Sequence, residues 1–226
     1  MLTARVSTKG QIVLPQKLRE RARVRPGDAF EFLDSDDPDV IGSDFYVMQR
    51  LDGTILRRDL PDGLTLDAQA ARTLCENFLD VLVRLHAVDP AEAGLESLGR
   101  GEGYVARQVG GWSDRYRKAR TDNVGDYERV MGWLDERQPA DVATCVIHND
   151  FRLDNVVLAP DDPLRIVGVL DWEMATLGDP LMDLSGALAY WIQADDDPTF
   201  RAARRQPSDL PGMMTRAEIV ETYAAR

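Results

Sequence analysis

The sequence predicts an α+β protein: a mainly helical body carrying one small β-hairpin, preceded by a short β-rich head. Three observations predict it. Apolar residues recur at helical spacing over residues 67–86, and a second helical stretch covers 126–136. Extended runs at 156–158 and 165–170 flank the turn Pro160-Asp161-Asp162-Pro163, the pattern of a hairpin. Residues 3–14 form a separate tight-hairpin pattern, with Gly10 supplying a residue that tolerates positive φ.

Each element follows from local chemistry. In the head, Pro15 opens a short helix in which Leu18 and Ala22 share a face, and Pro26-Gly27-Asp28 turns the chain into an extended stretch at 29–33. A unit this small needs a partner chain or a neighbouring domain to be stable, so a homodimer is one expectation. A short strand at 45–48 follows. The 67–86 helix sets Ala71, Leu74, Phe78, Leu82 and Leu85 on one side and ends at His86, read as a structural hydrogen-bonder. Gly99-Arg100-Gly101-Glu102-Gly103 reads as a plain loop, because Tyr104 stands where a G-x-G-x-x-G nucleotide loop needs its third glycine. An apolar strand at 143–147 precedes the hairpin, and Gly178-Asp179-Pro180 opens another helix.

Composition narrows the class. The chain has 226 residues, 44% of them hydrophobic, enough for a core and too many for wholesale disorder. No apolar run approaches the roughly 18 residues of a membrane helix, so no membrane partner is expected. The first residues hold no secretory signal core, and Cys75 and Cys145 read as buried thiols; the expected compartment is cytoplasmic. The net charge is -12, yet residues 1–33 carry +4 and the remainder -16. A basic head on an acidic body predicts two units, 1–37 and 38–226.

The chemistry is concentrated between residues 144 and 184. His148-Asn149-Asp150 and Asn155 lie on one loop, and the hairpin returns the chain to deliver Asp171 opposite them. Two carboxylates and an amide oxygen, with no histidine pair or cysteine cluster, suit a hard cation such as Mg²⁺ and not zinc. A base for a hydroxyl proton beside metal ligands is the equipment of phosphoryl transfer.

The order H-x-D-x-x-x-x-N, then Asp171-Trp172-Glu173, then Asp179-Pro180 and Asp183-Leu184, resembles the aminoglycoside/choline-kinase-like phosphotransferases, a branch of the protein-kinase-like fold. The resemblance is closer to the phosphotransferases found with acyl-CoA dehydrogenases and covers residues 38–226. It implies the hinge and helical C-lobe of such a kinase. Asp150 would be the catalytic base, with Asn155 and Asp171 binding Mg²⁺ and ATP as phosphoryl donor. His148 would shape the catalytic loop, and Asp179 and Asp183 would anchor the loop and the following helix. Phe45, Tyr46, Val47 and Met48 would form the hinge, touching adenine through backbone groups. The acceptor would be a small-molecule hydroxyl compound.

The head has its own resemblance. Val6-Ser7-Thr8-Lys9-Gly10-Gln11-Ile12-Val13-Leu14-Pro15, with Leu18-Arg19-Glu20 and Pro26-Gly27-Asp28, is similar to the AbrB/SpoVT swapped-hairpin family. That implies a dimeric DNA-binding head with Arg5, Lys9 and Arg19 on the DNA. A kinase of this type also needs a glycine-rich loop and a lysine over the phosphates, and the only lysines are Lys9, Lys17 and Lys118. The sequence therefore reads as a kinase truncated at both ends. Three readings stay open: a phosphotransferase impaired by the lost lid, a DNA-binding regulator or antitoxin with a kinase-like passenger, and a non-functional fusion of two gene fragments.

Overall fold

Asp67 starts the longest helix, its carboxylate accepting the Ala70 N–H at 2.8 Å. This helix, α1 (Ala68–His86), buries Ala71, Leu74, Cys75, Phe78, Leu79 and Leu82, while Leu85 is half-buried. The computed structural model describes residues 51–226, and Asp52–Arg226 forms one compact unit. The AbrB-like segment with Arg5, Lys9 and Arg19, the boundary at 37/38 and the hinge residues Phe45, Tyr46, Val47 and Met48 lie outside the described residues.

Five further helices follow: α2 (Tyr104–Ala119), α3 (Glu128–Arg137), α4 (Pro180–Ala189), α5 (Pro198–Ala202) and α6 (Arg216–Ala224). Four strands form two separate antiparallel pairs. One is the expected hairpin, β2 (Val156–Leu158) with β3 (Ile166–Val169), in which Val156 faces Val169 and a register shift falls between Val157 and Leu158. Thr54 bridges to Leu158 on the other edge of β2. The second pair joins β1 (Cys145–Ile147) to β4 (Thr176–Gly178).

α1, the hairpin and the C-terminal elements share one core: Leu74, Phe78 and Leu82 with Phe151, Leu153, Val156, Leu158, Leu184, Trp191 and Ile219. Phe78 packs on Phe151 with ring centroids 4.4 Å apart, so α1 lies directly beneath the loop that carries Asp150. Asn77 Nδ2 donates to the Leu164 carbonyl at 2.8 Å and holds the hairpin turn.

Three elements lay beyond the sequence reading. α2 has Gly110 and Gly111 at its centre, each lowering helix propensity by about 1 kcal/mol. Only Tyr104, Val105 and Ser113 of α2 are buried, too few to show a stripe. Its first turn is satisfied from a distance: Asp141 accepts the N–H groups of Tyr104 at 2.7 Å and Val105 at 2.9 Å. Burial opposes ionisation of Asp141, but those bonds hold it below the usual carboxylate range. β4 is three residues long and exists through its pairing with β1. α5 is a five-residue helix capped by Asp197, too short for periodicity. α3 starts two residues later than expected, after Tyr127 in the left-handed region.

Candidate active site

The loop between β1 and β2 is held by its own side chains and by one distant carboxylate. Asp183, in the first turn of α4, is buried and accepts the backbone N–H of His148 at 2.7 Å and of Asn149 at 2.8 Å. His86 Nε2, at the end of α1, lies 3.1 Å from the same carboxylate, and its Nδ1 lies 2.6 Å from Tyr223 Oη. His86 therefore has the hydrogen-bonding place expected of it. Asp179 caps α4 through the N–H groups of Leu181 and Met182 and also accepts Val142 N–H at 2.6 Å.

His148 is fully buried. Its Nδ1 accepts the Asp150 N–H at 3.2 Å, which leaves Nε2 to donate to the Leu170 carbonyl at 2.9 Å. That pairing defines the neutral tautomer protonated at Nε2. The ring stacks against Trp172 at 4.8 Å.

Asp150 and Asn155 are directly bonded. Asn155 Nδ2 donates to Asp150 Oδ2 at 2.9 Å and to the Asp150 carbonyl at 2.8 Å. With its amide nitrogen committed there, Asn155 turns its Oδ1 away from Asp150. The hairpin brings Asp171 alongside: Leu170 N–H donates to the Asn155 carbonyl at 2.8 Å, immediately before Asp171. Asp171 itself sits in the left-handed region at φ 68°. Asp150 also faces Arg152, whose Nε lies 3.2 Å from both Asp150 Oδ1 and Asp154 Oδ1, at ion-pair distance without hydrogen-bond alignment. The Arg152 guanidinium stacks on the Tyr190 ring at 4.7 Å.

The donor set fits a Mg²⁺ ion held with phosphates. Asn155 Oδ1 and the Asp171 carboxylate accept no hydrogen bond among the described residues, and both are hard oxygen donors. No three His, Cys, Asp or Glu side chains converge as a self-contained metal cage among the described residues. A two-ligand site is what Mg²⁺ uses when phosphates complete its shell. The thiols are inert bystanders: burial pushes Cys75 up to about 11 and Cys145 up to about 12.

Several residues that position the loop escaped sequence reasoning. Gln206 is buried; it accepts Leu153 N–H at 2.9 Å and donates to the Tyr190 carbonyl at 3.1 Å. Tyr104, on the missed helix α2, donates its hydroxyl to Asn149 Oδ1 at 2.8 Å. Asn149 carried a signal of its own, since Asn between two loop residues is the side chain that best tolerates left-handed backbone, here φ 65°.

The sequence profile of the phosphotransferase enzyme family, APH, matches residues 19–218. The chain belongs to this family. Among curated relatives, human acyl-CoA dehydrogenase family member 11 is 37% identical over 189 residues, covering 83% of this chain and 24% of its own length. Mouse acyl-CoA dehydrogenase family member 10 is 35% identical over 189 residues, covering 83% of this chain and 17% of its own. The chain thus spans about a quarter or less of the length of these relatives. A crystal structure of a candidate aminoglycoside phosphotransferase from Ralstonia eutropha superposes with a TM-score of 0.67 at 27% identity, over 80% of this chain and 54% of the other. Macrolide 2'-phosphotransferase type I shares the fold, with a TM-score of 0.53 at 24% identity over 78% of this chain and 52% of its own. The kinase-like fold expected from the hairpin and its motifs is therefore the fold of the described residues.

Proposed function

We propose that residues 51–226 carry the chemical half of an ATP- and Mg²⁺-dependent phosphotransferase acting on the hydroxyl of a small molecule. One observation carries this reading: Asp150 and Asn155 are hydrogen-bonded to each other, while Leu170, the residue before Asp171, donates its N–H to the Asn155 carbonyl. Base and metal ligands are thereby held on one rigid unit, as transfer by positioning and charge stabilisation requires.

In this reading Asp150 takes the proton of the acceptor hydroxyl as its oxygen bonds to the γ-phosphorus of ATP, while the bond from that phosphorus to the β,γ-bridging oxygen breaks and ADP leaves. One bond from the Asn155 amide and the nearby guanidinium of Arg152 orient the carboxylate for that step, and a second bond from the same amide holds the Asp150 carbonyl. Asn155 Oδ1 and Asp171 would hold Mg²⁺, which supplies charge neutralisation at the phosphate oxygens. His148 fixes the backbone on either side, accepting from Asp150 and donating to Leu170; Asp183 ties the loop to α4, and Asp179 caps α4 and holds Val142 ahead of β1.

The family's lysine over the phosphates has no counterpart on the described residues: Lys118, the only lysine there, lies exposed at the end of α2. Without that lysine and a glycine-rich loop over the phosphates the barrier is expected to stand roughly 4 kcal/mol or more higher, so residues 51–226 by themselves should turn over slowly while metal-dependent nucleotide binding persists.

Calorimetry with ATP and Mg²⁺ tests the proposal on the wild type and Asp171→Asn together. The substitution keeps a side chain that accepts left-handed backbone and removes one metal-ligand charge. Binding by the wild type that falls by about tenfold or more in the variant supports the reading. Absence of binding to both, or equal binding to both, overturns it.

A further inference from the structure

We propose that Asn149 is a positioning residue whose side chain ties the segment following Asp171 to the loop that carries Asp150. This rests on the phosphotransferase reading above and adds a residue to it. The geometry is a bridge with two ends. Asn149 Nδ2 donates to the Met174 carbonyl at 2.9 Å, and Asn149 Oδ1 accepts the Tyr104 hydroxyl at 2.8 Å. The two partners together fix which way the amide faces: the Met174 carbonyl can only accept and so takes the nitrogen, which leaves the oxygen for the Tyr104 hydroxyl to donate to.

The bridge matters because of what it closes. Ahead of Asp171, Leu170 is gripped on both of its backbone groups, its N–H by Asn155 and its carbonyl by His148. Behind Asp171 the chain makes one 3₁₀ turn, Trp172–Met174, whose three residues are exposed. The Asn149 amide grips the end of that turn by a hydrogen bond, while the His148 ring packs against Trp172 at its start. Asp171 is thus bracketed fore and aft by the loop bearing the base. A metal ligand in left-handed backbone keeps its aim only while both flanks are held. Tyr104 extends the bridge to α2 and is itself locked at its N–H by Asp141.

The backbone of Asn149 is fixed independently of its side chain, through its N–H to Asp183. Asn149→Gly therefore removes the bridge while keeping a residue at ease at φ 65°. Tyr104→Phe keeps the ring in its cluster and removes only the hydroxyl that donates to the amide.

Two readouts decide the matter. Amide hydrogen exchange in the free protein should quicken over residues 171–175 in both variants and remain unchanged over α1. Calorimetric titration of ATP with Mn²⁺ should show the metal-dependent affinity falling by about tenfold in Asn149→Gly and less in Tyr104→Phe. Unchanged exchange over 171–175 overturns the proposal. Faster exchange with unaltered Mn²⁺-dependent affinity overturns it too, leaving the bridge merely structural. A wild type that binds no ATP with Mn²⁺ overturns both the phosphotransferase reading and this one, and the exchange data still report whether the bridge exists.

Discussion

α1 and the α2–α3 hairpin are both amphipathic helical regions, yet they are held in place by different forces. α1 sinks a continuous stripe into the core, with Leu74 0% and Phe78 2% exposed. The α2–α3 pair leaves Trp112 58% and Trp133 55% exposed, each ring covered only by a neighbouring guanidinium, Arg115 and Arg137. Polar contacts at the surface hold that pair together: Arg117 donates to both oxygens of Glu128 at 2.9 Å, and Tyr116 donates to the Gly125 carbonyl at 2.6 Å. Apolar burial is concentrated under the loop that carries Asp150 and thins out toward α2 and α3. The core carries the loop, and the hairpin contributes to it through Tyr104.

The largest effect should come from the core. Phe78→Ala removes the ring beneath Phe151 and is expected to cost about 3–5 kcal/mol of unfolding free energy in urea titration. A loss below about 1 kcal/mol would erase the contrast between the regions. Next is acid. Hydrogen bonding from Arg216, with the Gln193 N–H, holds Asp196 down to about 2, and the Thr215 N–H with the Arg72 pair holds Glu218 down to about 2. Because both groups titrate lower folded than unfolded, their stabilisation is complete above the unfolded values near 4 and is lost as pH falls toward about 2. The urea midpoint should drop across that window, and by less in Glu218→Gln; equal drops would remove Glu218 from the account. The smallest effect belongs to the hairpin: Trp133→Ala should change stability by no more than about 0.5 kcal/mol. A cost above about 2 kcal/mol would mean that this face is covered and the two regions are alike.

Legibility followed the same division. The α1 stripe and the β2–β3 hairpin were readable because periodicity and turn residues are local signals. The order along the chain proposed Asp150, Asn155 and Asp171 as a set, and the fold joins the first two by a hydrogen bond. α2 and β4 were not readable, since one is capped by Asp141 and the other exists only through β1. Nor could spacing reveal Asn149 and Gln206 as loop anchors: their partners, Met174 and Tyr104 for one and Leu153 and Tyr190 for the other, lie 16 to 53 residues away.

By itself, then, the amino-acid order determined the family, the core helix and the oxygen-donor chemistry of the site, because each is written in residues near one another along the chain. The tertiary structure alone decided how the site is held: the His148 tautomer, the direction of the Asn155 and Asn149 amides and the bracketing of Asp171. Those depend on hydrogen bonds between groups that only folding brings within about 3 Å, a distance at which direction matters as much as identity.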